Sequence, residues 1–358
     1  MRVVLAYSGG LKASVAIPWL IETFDAQVVA VALDLGQGDD LVDVRQRALA
    51  AGAVRCHVID AREEFARDFV LPSVKAGALF EGRYPIPTAL GRPLIAKTLV
   101  AIARVEEAAA VAHAGSGRDH LRLTAAMQDL DPALRVIACA EAWSFTTTEL
   151  EDFAERHNIA AAGPTRTDQN LWGRTVGRWA DAASSALADG VVSLTRPPEG
   201  SPEDAAVLEI EFSYGVPKAL NGVPMAPVEL IDSLTTIGAE HGIGRLTRVK
   251  ARAVDRVSYA IYEAPAAVLL HAAHAELQRQ AAPGPVQRIV PAIASSYSDV
   301  IDRGEWFSNL RPALDAVVNH VQEHVTGVVQ LKLHNGSVTT ATSIPSASLT
   351  AGRQTADV

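Results

Sequence analysis

Residues 8–14 read Ser-Gly-Gly-Leu-Lys-Ala-Ser, after an apolar run at 3–7 and before a helical pattern. A strand, a glycine turn and a helix start in that order make an anion site. Glycines let the backbone turn tightly round a ligand, and the orphan N–H groups of the first helical turn face it with the positive end of the dipole. The spacing is neither the dinucleotide Gly-x-Gly-x-x-Gly nor the Walker Gly-x-x-x-x-Gly-Lys-Ser/Thr. Lys12 sits inside the loop as a point charge that can meet phosphate oxygens. Two further glycine turns, Asp34-Leu35-Gly36-Gln37-Gly38 and Gly115-Ser116-Gly117, each close a strand-like run.

The elements that must position these turns follow from the hydrophobic pattern. Strand-like runs at 3–7, 27–34, 57–60, 108–114 and 135–139 alternate with helical ones at 14–24, 41–51 and 62–74. Continuous apolar strands separated by helices predict a doubly wound α/β fold, a parallel sheet covered on both faces. Ligands of such sheets lie outside the carboxyl ends of the strands, where all three glycine turns fall. Pro18 interrupts the first helix pattern, and an interior proline costs roughly 3 kcal/mol, so a kink or a late start is expected there. Thr148-Glu149-Leu150-Glu151 reads as a capping box opening a helix to about residue 157.

Near 163–168 the alternation stops. A polar, alanine-rich stretch at 180–190 and a proline-rich loop at 197–202 follow, then an alternating strand at 207–214, a hairpin through Asn221-Gly222 and a helix at 226–241. This predicts an α+β second domain. The run 306–325 has helical spacing through Leu310, Leu314, Val317, Val318 and Val321, which suits docking on a partner subunit or packing on its own domain equally. The chain divides into 1–165, 166–340 and a polar tail at 341–358.

A length of 358 residues suits two cores better than one. The net charge is −9 without a long basic run, which argues against a nucleic-acid surface. Cys56 and Cys139 lack metal spacing and read as small core residues in a reducing compartment. The run 3–7 is too short for a signal peptide, and 94–114 is broken by Lys97, Arg104, Glu106 and Glu107, so no membrane span is expected. A soluble, cytoplasmic protein without nucleic-acid or membrane partners is the expectation.

The chain resembles the argininosuccinate synthases over nearly its whole length. The likeness rests on Tyr7-Ser8-Gly9-Gly10-Leu11, Asp34-Leu35-Gly36-Gln37-Gly38, Glu81-Gly82-Arg83-Tyr84-Pro85 and Arg92-Pro93-Leu94-Ile95-Ala96-Lys97. Asn170-Leu171-Trp172-Gly173-Arg174, His241-Gly242-Ile243-Gly244-Arg245, Tyr262-Glu263-Ala264-Pro265 and Trp306-Phe307-Ser308 follow in the family's order. The resemblance implies an adenine nucleotide hydrolase-like domain, a synthetase and oligomerisation domain, and a homotetramer. It also implies that ATP, usually with Mg²⁺, activates the ureido oxygen of citrulline as an adenylate and that the amine of aspartate displaces AMP. Such chemistry rests on positioning and charge stabilisation and needs no protein nucleophile.

Carried over by position, Ser8, Gly9, Gly10 and Ser14 would cradle the pyrophosphate, and Ala6, Tyr7, Leu11, Lys12, Leu33, Gly115 and Gly117 would border the nucleotide. Tyr84, Arg122, Thr175, Lys250 and Tyr262 would line the ureido-substrate pocket, with Ser116 and Asp119 facing the amine substrate. Four departures fall on ligand positions. Lys12-Ala13 replaces the family's Asp-Thr, so a carboxylate that can hold magnesium becomes an ammonium that repels it. The 114–122 segment is two residues shorter than the family's. Lys250 replaces a glutamate that would receive the α-amino group of citrulline, which favours a carboxylate at that end instead. Thr175-Val176-Gly177-Arg178-Trp179 lacks the family's acidic continuation. Two readings stay open: an AMP-forming C–N ligase with original or altered substrates, and a nucleotide-binding pseudoenzyme. A third treats the chain as an inactive subunit of a mixed tetramer.

Overall fold

The computed structural model describes residues 1–38, 40–159, 166–181, 192–252 and 256–346. The chain forms two compact units, each assembled from separate stretches of sequence. The first unit comprises Met1–Phe65, Ala89–Pro164 and Val300–Arg311; the second comprises Ala66–Thr88, Thr165–Asp299 and Pro312–Val358. The short segments 66–88 and 300–311 thus sit outside a simple front-and-back division of the chain.

In the first unit, β1 (Arg2–Ala6), β2 (Gln27–Asp34), β3 (Arg55–Asp60), β4 (Ala110–His113) and β5 (Arg135–Ala138) form one sheet in the order β3-β2-β1-β4-β5. Every pairing is parallel. Val3, Val4 and Leu5 of the central strand and most of β2 are buried on both faces, as their unbroken apolar runs require. From β1 the chain winds outward through β2 and β3, then returns to β4 on the other side. The boundary between β1 and β4 is therefore the switch point, the place beyond the strand ends where ligands of such sheets bind.

Helix α1 (Leu11–Phe24) starts directly after Gly10 and runs through Pro18, so of the two alternatives, a kink or a late start, the late start does not occur. Val15, Ile17 and Leu20 are wholly buried in the sheet-covering core, and their packing outweighs the missing backbone donor. The helix Thr147–Arg156 is capped by Thr146 with Glu149, two residues before the expected box. Three consecutive threonines offer both registers, and Leu150, Phe153 and Ala154 facing the core select the earlier one. The helical run at 62–75 contains a π-helical turn, Ala66–Val70, where the chain leaves the first unit.

The second unit holds two antiparallel sheets. One contains β8 (Ala206–Ser213), β9 (Val216–Leu220), β10 (Val223–Pro224), β13 (Gly327–His334) and β14 (Ser337–Pro345) in the order β10-β9-β8-β13-β14. The other joins β6 (Arg166–Asn170), β7 (Gly173–Asp181), β11 (Arg245–Arg252) and β12 (Arg256–Glu263) in the order β11-β12-β7-β6. The expected hairpin at Asn221-Gly222 is present, with both residues at positive φ (50° and 76°). Helices Pro227–Glu240 and Pro265–Ala281 pack on one another and supply the α-layer. β14 reaches residue 345, so residues 341–345, expected in a loose tail, belong to a strand, and four of them pair with β13. An edge strand is held by backbone partners, and its mostly exposed, polar side chains conceal it in the composition. The alanine-rich stretch at 182–190 and the terminal residues 347–358 lie outside the described residues.

Candidate functional site

The glycine loop lies between the end of β1 and the start of α1, as the spacing predicts. Gly9 adopts φ 71°, which a side chain would resist, and Gly10 enters the helix in extended conformation. No side chain caps α1, and its first turn carries no acidic residue. Its leading N–H groups therefore suit an external anion. Ser8 is exposed beside them, its Oγ 3.4 Å from the Gly10 amide that donates to it. Ser14 is buried and shares a hydrogen bond with the Tyr7 hydroxyl at 2.9 Å, so these two brace the loop from below. Burial raises the Tyr7 phenol above its ordinary value and keeps it neutral.

Arg47, on helix α2 (Leu41–Ala50), was not anticipated. Its guanidinium donates to the Gly9 carbonyl at 2.8 Å and pairs with Asp43 at 2.9 Å. A Cβ at Gly9 would come within 3.0 Å of Arg47 Nη2. The glycine thus serves both the turn and the close approach of an arginine. Only the strand-turn-helix pattern marked this region, and nothing local in the sequence links residue 47 to residue 9.

The turn after β4 lies next to this loop because β4 pairs with β1. Gly117 holds φ 60° and ψ −129°, a conformation suited to glycine, and opens the helix Arg118–Leu130 without a side-chain cap. His113 anchors the turn: its Nδ1 accepts from the Gly115 amide at 3.2 Å, and Nε2 lies 3.1 Å from the Thr124 hydroxyl. Burial, with His120 adding to it, lowers the His113 pKa to about 4, so the ring stays neutral and keeps Nδ1 as an acceptor. Lys12 Nζ donates to Ser116 Oγ at 3.2 Å and ties the two loops together. Ala6 is half-buried at the end of β1, and Leu33 is buried near the end of β2. Asp34 and Gln37 fold the next turn back on itself through the Gly36 and Leu35 amides.

Asp119 and Arg122 do not stand open to a substrate. Asp119 bonds Arg92 at 3.1 Å and Arg122 at 2.7 Å, and Arg122 extends to the carboxylate and carbonyl of Asp302. Arg118 also pairs with Asp302. Burial alone would raise the Asp119 carboxyl, but the two guanidinium groups prevail and hold it down at about 2. The two-residue shortening of this turn gave no hint of an arginine network built partly from residues 92 and 302.

The second unit assembles Tyr84, Thr175 and Tyr262. Thr175 and Tyr262 are directly opposite across β7 and β12, hence on one face of that sheet. The Tyr262 ring lies 5.6 Å from the Tyr84 ring, whose hydroxyl donates to the Thr247 carbonyl at 3.4 Å. Thr175 Oγ1 is buried and has no hydrogen-bond partner among the described residues. Such a hydroxyl invites a polar ligand group. Arg248 stacks over Phe80 and pairs with Glu81, closing this aromatic corner.

One register step away, Arg174 faces Glu263 and pairs with it at 2.5 Å. Glu263 is wholly buried and also accepts from the Ser193, Leu194 and Thr195 amides and the Thr195 hydroxyl. Burial would raise its carboxyl, yet these donors hold it below the ordinary range. Gly173 sits at φ 138°, where a Cβ would approach the Glu263 carbonyl to 2.6 Å. Lys250 occupies a bulge in β11 between Val249 and Ala251, while its side chain lies outside the described residues.

Cys56 and Cys139 are buried free thiols raised by desolvation, Cys139 to about 12, which agrees with core packing and not nucleophilic work. Among the described residues no helix is long and apolar enough to cross a membrane. No group of three or more His, Cys, Asp or Glu side chains able to hold a metal occurs among them either.

A parallel sheet whose switch point carries an uncapped, glycine-entered helix defines a nucleotide-binding α/β domain, and the chain adds an antiparallel unit with a buried hydroxyl cluster. Residues 2–160 match the model of the arginosuccinate synthase N-terminal HUP domain, and residues 166–351 match that of the arginosuccinate synthase C-terminal domain. An argininosuccinate synthase of Rubrobacter xylanophilus is 44% identical over 348 residues, covering 95% of this chain and 85% of the relative. Those of Chlorobium chlorochromatii and Brevibacillus brevis are each 42% identical, covering 94% of this chain and 87% and 82% of theirs. The chain belongs to the argininosuccinate synthase family, whose members ligate citrulline and aspartate with ATP.

Proposed function

We propose that this chain is an AMP-forming C–N ligase that joins a ureido compound, citrulline or an analogue, to the amine of an amino acid, aspartate or an analogue. The ureido oxygen attacks the α-phosphorus of ATP and releases pyrophosphate; the amine then forms the C–N bond, loses a proton and expels AMP. The observation that carries this reading is the uncapped start of α1 behind Gly9 and Gly10 at the sheet's switch point. Ser8, Gly9, Gly10 and the leading N–H groups of α1 would take the pyrophosphate, braced by Tyr7 and Ser14. Ala6, Leu11, Leu33, Gly115 and Gly117 would border the nucleotide. Fixed donors aimed at developing phosphate charge need no reorganisation during reaction.

Tyr84, Thr175 and Tyr262 would hold the ureido substrate, with the orphan Thr175 hydroxyl meeting one of its polar groups. Lys250 would favour a carboxylate where citrulline carries its α-amino group. Ser116 would face the amine substrate, while Asp119 and Arg122, engaged with Arg92 and Asp302, would shape that wall. An altered substrate therefore fits better than citrulline itself. The first unit would serve the nucleotide and the second the ureido substrate and assembly, in a cytoplasmic homotetramer.

Incubation with ATP and a matrix of citrulline analogues and amines should yield AMP, pyrophosphate and a coupled product in equal amounts for at least one pair. No turnover with any pair would sink this reading. The second reading, a nucleotide binder without turnover, is favoured by Lys12 where the family carries a carboxylate; calorimetric ATP binding with an empty product matrix would establish it.

A further inference from the structure

We infer that the nucleotide loop supplies its own counter-charge: the Lys12 ammonium, steadied by Ser116 between the two glycine turns, meets the phosphates in place of a divalent cation held by the loop. Nucleotide binding by this chain accordingly does not depend on magnesium. The inference rests on the nucleotide-binding role of this loop and adds the identity of the charge that neutralises the phosphates.

Three observations converge. Lys12 lies on the first turn of α1, and its Nζ spans to Ser116 Oγ at 3.2 Å, between two glycine turns at the ends of adjacent parallel strands. An ammonium so placed lies beside the leading N–H groups of α1 and adds positive charge where those donors already favour an anion. Among the described residues, the carboxylates of the adjoining turns are engaged with other groups. Asp119 is held by Arg92 and Arg122, and Asp34 takes the Gly36 amide and lies 3.5 Å from Arg62. Asp43 pairs with Arg47, which itself bonds the Gly9 carbonyl at 2.8 Å.

The donor set therefore does not fit a magnesium ion held by the protein at this loop. Magnesium prefers an octahedron of hard oxygen ligands, usually with one or two carboxylates from the protein. Here the loop offers an ammonium, and the Arg47 guanidinium behind Gly9, paired with Asp43, adds no acceptor. An ammonium at the loop disfavours the metal and favours a polyanion. Ser116 has a positioning role: it fixes the direction of a flexible four-carbon side chain.

Calorimetry on the full chain, titrating ATP and inorganic pyrophosphate with EDTA and again with excess magnesium, tests this. The wild-type affinity for ATP should agree within about threefold between the two conditions, well under the tenfold that corresponds to 1.4 kcal/mol. Lys12→Ala should weaken binding in EDTA by at least about tenfold, and Lys12→Asp should bind at least about tenfold more tightly with magnesium than without it. Ser116→Ala should weaken EDTA binding by about threefold through a looser ammonium, with circular dichroism confirming the fold of every variant. A wild-type affinity that collapses on chelation, or a Lys12→Ala protein that binds in EDTA as tightly as wild type, overturns the inference. Metal-independent binding without AMP formation would uphold it and defeat the ligase reading; AMP formation with strictly magnesium-dependent binding would do the reverse. No binding of either probe would defeat both.

Discussion

Arg174 and Glu263 form a buried ion pair one register step from Thr175 and Tyr262. Their contact sits on the face of β7 and β12 opposite Thr175 and Tyr262, and it satisfies the charges that the strand ends bury. Arg174→Ala would leave a buried carboxylate with only neutral donors, and removing one partner of such a pair costs about 3–5 kcal/mol. A urea-unfolding midpoint well below wild type is the expected outcome, and an unchanged midpoint would show the pair to be dispensable. Three buried histidines add a pH dependence at milder acidity. Burial lowers His113 to about 4, His271 to about 3 and His274 to about 4, against 6.5 when unfolded. The unfolded chain takes up their protons first, so stability is full above pH 6.5 and falls as pH drops towards 4. Each contributes a slope of up to about 1.4 kcal/mol per pH unit in that window. Denaturation midpoints measured between pH 7.5 and 4.5 should decline steadily, and His271→Leu should flatten the decline. Asp119, held at about 2, gives up its contribution only below about pH 4.

Among the elements, the turns that carry glycine at positive φ are the least replaceable. Gly173 joins β6 to β7 at φ 138°, with its hydrogen facing the Glu263 carbonyl. A Gly173→Ala protein would clash with that backbone oxygen and strain the turn, and the strain alone costs on the order of 1–3 kcal/mol. It should therefore melt below wild type and, under the proposed function, bind the ureido substrate less tightly, because the strand start that sets Thr175 must move. Wild-type melting together with wild-type KM would contradict this account. The loop before α1 shows the complementary case, in which Gly9 admits a guanidinium from α2 that no residue with a side chain would admit so closely.

At the scale of the whole chain, each unit is completed by a piece borrowed from the other end of the sequence. Residues 300–311 return to the first unit, where Gly304 at φ 79° lets the backbone come against Arg122. The sequence alone settled the parallel sheet, the glycine loop at the end of its first strand and the membership in the argininosuccinate synthase family. Strand runs, glycine turns and ordered motifs are local in the chain and need no knowledge of distant contacts. It also marked Tyr84, Thr175 and Tyr262, and pairing across β7 and β12 brings the last two onto one face while the first stacks on the second. Only the tertiary structure decided that Asp119 and Arg122 are consumed by Arg92 and Asp302, that Arg47 grips Gly9, and that Lys12 leans on Ser116. Those partners lie 27 to 180 residues apart, in turns and segments whose approach depends on strand order and tertiary packing. Ionic partnership is a matter of distance in space, and spacing along a chain reports it only within a single helix or hairpin.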